Sequence, residues 1–88
     1  MKVTNMYSSN GNQVPNQFII HNGNKTAFQS YETIVAVKEN GKVILDKNAL
    51  DYSATTTKYL KQFLNTKDSK KQLQDKVKNG YYSISDLN

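Results

Sequence analysis

The sequence predicts an α+β fold: a small antiparallel β-meander of two hairpins, followed by two C-terminal helices. Two observations carry this. Apolar residues alternate with period two around Asn-Gly turns in the first half, and beyond residue 50 the period changes to about 3.6. Strands first and helices last is the order of an α+β domain, with the helices on one face of the sheet. A chain of 88 residues makes one domain, 1–88. It buries only about 60–65 % of its unfolded surface, so its core is thin.

The elements follow in order. Lys2–Tyr7 reads as a short strand with Val3 and Tyr7 on one side. Residues 8–17, SSNGNQVPNQ, hold the only proline and have no periodicity. They read as loop, which makes 1–16 a candidate mobile N-terminal arm. Gln17 to Ser30 reads as a hairpin whose central pair is either Asn22-Gly23 or Gly23-Asn24, since both suit positive φ. Thr33 to Asp46 reads as a second hairpin turning at Asn40-Gly41. That register sets Glu39 opposite Lys42, Val37 opposite Ile44 and Ala36 opposite Leu45. Ile34, Ala36, Val43 and Leu45 then form the expected core face. Val35, Val37 and Ile44 share the other, expected to face solvent, with Glu39, Lys42 and Asp46.

The stretch LDYSATTTKYLKQFL (50–64) reads as a helix start leading into an amphipathic helix, about Ser53 to Asn65. Tyr59, Leu60, Phe63 and Leu64 fall on one side, with Lys58, Lys61, Gln62 and Asn65 on the other. Asp51 or Ser53 is the expected N-cap. The same hydroxyls and helix amides, with Lys58 close by, also suit an anion. A phosphate cradle, however, brings glycines, and none lies between Gly41 and Gly80. A second helix is expected from about Asp68 to Lys78, capped by Thr66, Asp68 or Ser69 and stopped at Gly80. Its Lys67, Lys71, Gln74 and Lys78 make a polar face. The tail from Tyr81 has enough apolar side chain to dock on the body.

Composition narrows the function. The net charge is +5, and every positive charge is a lysine. Lysines attract phosphate or acidic surfaces without the planar fork that reads guanine. Such a balance suits backbone or shape recognition, and it also simply keeps a protein soluble. There is no cysteine, so neither disulfides nor thiolate metal sites support the fold. The N-terminal stretch has no apolar signal region, and the longest apolar run, Ile34–Val37, is far too short for a membrane span. A soluble intracellular protein is therefore expected.

Catalytic signals are weak. His21 is the sole histidine, beside a tight turn with no acid near it in sequence. A Ser-His-Asp set is defined by geometry, so the sequence leaves it open, but an exposed turn histidine is the simpler reading. Asp46 and Asp51 bracket a short connection and form a weak two-carboxylate cation signal. No HExxH, CxxC, Walker or GxGxxG motif is present. Six Tyr and three Phe are a fair aromatic load. Tyr7, Tyr31, Tyr81 and Tyr82 lie outside the clear core patterns. Tyr beside Lys suits single-stranded nucleic acid or a protein interface, and it also suits plain core cover.

Phe28-Gln29-Ser30-Tyr31-x-Thr33 and Asp51-Tyr52-Ser53-x-Thr55-Thr56-x-Lys58-Tyr59, with a closing Gly80-x-Tyr82-x-x-x-Asp86-Leu87-Asn88, resemble a family of short uncharacterised phage and mobile-element proteins of AT-rich bacteria. Leu50 stands where such proteins usually carry Trp. The resemblance covers roughly residues 17 to 88. It implies a phage or plasmid accessory role and brings no catalytic residue with it.

The expectation is a non-enzymatic domain without cofactor or metal that binds nucleic acid or a host nucleoprotein complex. The candidate nucleic-acid-binding residues are Lys58, Lys61, Lys67, Lys71 and Lys78. The alternative is a stoichiometric protein inhibitor of a host defence system, of anti-CRISPR or anti-restriction type. It would present Tyr31, Tyr81 and Tyr82 to its target.

Overall fold

The computed structural model describes residues 1–88. Six strands and two helices follow in the order β1 (Lys2–Tyr7), β2 (Gln13–Asn22), β3 (Lys25–Ser30), β4 (Thr33–Glu39), β5 (Lys42–Asp46), α1 (Ala54–Leu64), α2 (Lys70–Lys78) and β6 (Ser83–Ser85). The strands pair in sequence order in one sheet. The first five form an antiparallel meander, and β6 lies parallel to β5 after the two helices. The α+β class and the two C-terminal helices match the sequence reading, and the sheet is larger than two hairpins.

Turn chemistry sets the registers. Asn22 pairs with Lys25, so Gly23-Asn24 is the central pair of the first hairpin. Only Gly23 has positive φ there, the sign pattern of a type II′ turn. At Asn40-Gly41 both residues have positive φ, as type I′ requires, and Glu39 lies opposite Lys42. Residues 8–17 are loop only over 8–12, because β2 begins at Gln13. Within 1–16, β1 pairs along β2, and Met6 and Val14 enter the core.

A bulge corrects the expected face of β4. Phe28 pairs with Ala36 but Gln29 pairs with Ile34, so Val35 is the extra residue. Val35 and Ala36 are both fully buried in the core with Phe28 and Leu45. Ile34 shifts to the face shared with Gln29 and Val37. There Ile20, Ala27, Ile34 and Val37 surround a hollow closed by Leu87 of the tail. Val37, expected to meet solvent, is therefore buried.

Ser53 caps α1 by accepting from the Thr56 amide, and Asn65 ends the helix in the left-handed region. Its apolar stripe of Tyr59, Leu60 and Phe63 enters the core. The Phe63 ring stacks on Phe28 with centroids 5.8 Å apart. Polar contacts fix the helix laterally. The Ser30 and Thr56 hydroxyls share a hydrogen bond of 3.0 Å, and Gln62 donates to the Tyr7 carbonyl at 2.9 Å. Lys38 donates to the Phe63 carbonyl and lies over its ring. Burial lowers the Lys38 pKa.

Ser69 and Gln72 form a capping box that starts α2, and Leu73 is its single fully buried residue. Gln17 is an exception to the packing rules. It is fully buried, and neither atom of its amide has a partner among the chain's own groups. An unpaired buried amide costs stability, so Gln17→Met is expected to stabilise the fold by about 1–2 kcal/mol in urea denaturation. A lower denaturation midpoint would show that the amide is needed.

Candidate nucleic-acid interface

The segment between β5 and α1 organises the helix side of the molecule, and Asp46 is its anchor. Asp46 ends β5 and is 2 % exposed. Its carboxylate accepts hydrogen bonds from the Asn48 amide at 3.2 Å, the Tyr52 hydroxyl at 3.0 Å, the Leu87 amide at 3.0 Å and Asn88 Nδ2 at 3.2 Å. Burial pushes its pKa up, but these donors more than offset that and hold it below the usual carboxylate range. Burial, and then the hydrogen bond to Asp46, raise the pKa of Tyr52. The Asn88 side chain also pairs with both the amide and the carbonyl of Ile34, as a neighbouring strand residue would. The tail is thus tied to the sheet and the Tyr52 ring is held at its tip. Weighed against the cation reading, the Asp46 oxygens are engaged by four donors, and no cluster of three metal-ligating side chains is present.

Outside this anchor lies a groove of about 450 Å³ between one face of α1 and the start of α2. Leu50, Tyr52 and Ala54 give it apolar surface, Thr57 adds a hydroxyl, and Lys58, Lys61 and Lys70 supply three ammonium groups. No carboxylate lines it. The two ion pairs of the chain are Lys47–Asp86 and Lys76–Asp68, so none of the three lysines has a carboxylate partner. The field of Lys61 nevertheless reaches Asp68. That carboxyl is held below its ordinary range first by the hydrogen bond from Lys76 and, in smaller part, by Lys61.

A second hollow of about 330 Å³ adjoins the first and shares Leu50 with it. Here Gln74, Val77 and Lys78 of α2 face Asp51, Ala49 and Ile84. Lys70, Gln74 and Lys78 stand at i, i+4 and i+8, so one face of α2 borders both hollows.

The expected lysine set is therefore divided. Lys58 and Lys61 converge, and they converge with Lys70, which the sequence reading passed over. Lys78 lies in the neighbouring hollow with Asp51. Lys67 and Lys71 are exposed outside both linings.

The tyrosines divide as well. Tyr82 is 4 % exposed and belongs to the core, which corrects its expected place in an interface. It meets Tyr81 edge-on at 5.1 Å, with Lys76 over both rings. Tyr81 and Tyr31 are exposed. Tyr31 also has φ +55°, a costly conformation for a bulky residue. Its amide donates to the Asn16 carbonyl at 2.7 Å, which holds the turn in place. Tyr31→Gly is expected to raise stability by about 0.5–1 kcal/mol, because glycine adopts positive φ freely and the exposed ring gives up little burial. Thermal denaturation checks the sign, and a lower midpoint would assign the ring a packing role. His21 is exposed, paired in register with Lys2 and Thr26 at the hairpin end of the sheet.

No helix is long and apolar enough to cross a membrane. Searches of curated proteins and of solved structures give no match. Over residues 1–80, nearly the whole chain, the sequence matches DUF8033, a family of unknown function, and the protein belongs to that family.

Proposed function

We propose that this protein is a small, non-enzymatic accessory protein of phage type that binds nucleic acid, or a host nucleoprotein complex, in the bacterial cytoplasm. The observation that carries this reading is the convergence of Lys58, Lys61 and Lys70, without carboxylate partners, on one groove. Ammonium groups without carboxylate partners on a shared groove attract a polyanion. Lysines meet phosphates as point charges, so contact with the backbone is the chemistry they suit. The test is a pull-down from host lysate, with and without nuclease. Nucleic acid recovered by the wild type and lost by a Lys58→Gln/Lys61→Gln/Lys70→Gln variant supports the reading. A protein partner that survives nuclease and is retained by the variant contradicts it.

The second reading is a stoichiometric inhibitor of a host defence protein. The exposed and strained Tyr31 favours it, because strained residues concentrate where a partner is met. Under this reading Tyr31→Gly weakens capture of the target while stabilising the free protein.

A further inference from the structure

Resting on the proposal that the basic groove binds nucleic acid, we infer that its ligand is a single strand, with a base seated on the Leu50–Tyr52 surface. The groove combines two chemistries. Lys58, Lys61 and Lys70 supply charge, while Leu50, Tyr52 and Ala54 supply apolar surface between them. A duplex presents phosphates outward and keeps its base faces stacked inside, so it would use the lysines and leave the apolar surface unmatched. A single strand offers both phosphates and free base faces, and aromatic side chains beside lysines are how such strands are held without sequence preference. Tyr52 suits this role because its hydroxyl is fixed by Asp46, which limits the freedom its ring would lose on binding. Charge confines the contact. The adjoining hollow carries Asp51 beside Lys78, so the phosphates are held at the Lys58–Lys61–Lys70 end.

The experiment is fluorescence anisotropy of the full chain with labelled oligodeoxyuridylate, oligouridylate and a mixed-sequence duplex of equal length. Tight binding of either single strand, with the duplex at least about tenfold weaker, is the expected result, and the two single strands identify the sugar. Tyr52→Phe keeps the ring but releases it from Asp46, so it should weaken single-strand binding less than loss of the ring does. Tyr52→Leu removes the ring and should weaken single-strand binding at least about fivefold. Duplex binding as tight as single-strand binding would overturn the inference while leaving the basic-groove reading intact. That comparison needs only the wild-type chain. Absence of binding to all three probes would overturn both.

Discussion

Asp46→Ala is expected to destabilise the protein by about 3–5 kcal/mol, the range for removing one side of a buried charged network. Four donors lose their acceptor at once: the Asn48 and Leu87 amides, the Tyr52 hydroxyl and the Asn88 side chain. A small domain has a total stability on the order of 5 kcal/mol, so the variant stands near unfolding at ambient temperature. Urea denaturation gives the magnitude, and hydrogen exchange at the Leu87 and Asn48 amides gives the location. A change below about 1 kcal/mol would show that the tail and the Tyr52 segment hold without the anchor. Asp46→Asn should also be damaging, because its amide group would turn a donor toward donors. The pH dependence follows from the lowered pKa. The folded state binds the Asp46 proton less readily than the unfolded chain does. Its stabilising contribution is therefore complete above the ordinary carboxylate pKa of about 4 and lost as pH falls through the folded value. The wild type should lose more stability on acidification than Asp46→Asn, which has no proton to take up there.

Replacing Lys58, Lys61 and Lys70 together by Gln should lower affinity for single-stranded nucleic acid at least about tenfold at low salt, with little change in folding. Substitutions at such surface positions usually stay within about 0.5 kcal/mol of wild type. The alternative physical account is that the +5 charge of the whole chain attracts any polyanion without a site. A matched control separates the two: Lys2, Lys25 and Lys42, all exposed at the hairpin end of the sheet, replaced together by Gln. Both triple variants have the same net charge. Groove binding predicts a loss confined to the first, and equal losses would assign the affinity to overall charge.

Local chemistry was legible in the sequence. Asn40-Gly41 announced its own turn and register, and the 3.6-residue spacing of Tyr59, Phe63 and Leu64 announced α1. Ser53 was legible as a cap because its hydroxyl acts on an amide three residues away. What the sequence hid depends on distant partners. The bulge at Val35 reverses the side chains before it, and alternation alone carries no mark of an inserted residue. The strand β6, Ser-Ile-Ser, is too short and polar to be read alone and exists because β5 offers an edge. Asp46 looked like half of a cation site beside Asp51, but its partners Leu87 and Asn88 are about forty residues away and decide its role. Lys70 escaped notice for the same reason. Its neighbours in the groove, Lys58 and Lys61, belong to the other helix, and only the packing of α2 brings them together.

The central claim is that Lys58, Lys61 and Lys70 contact phosphates of a bound strand, and its most direct test is the salt dependence of binding. Affinity for a labelled single strand is measured from low to physiological salt for the wild type and both triple variants. Each phosphate contact on a single strand contributes about −0.7 to the slope of log K against log salt. Three contacts predict that the groove variant has a slope shallower than wild type by about 2, while the Lys2, Lys25, Lys42 variant keeps the wild-type slope. A groove variant with an unchanged slope, or a control variant that loses as much, would contradict the claim.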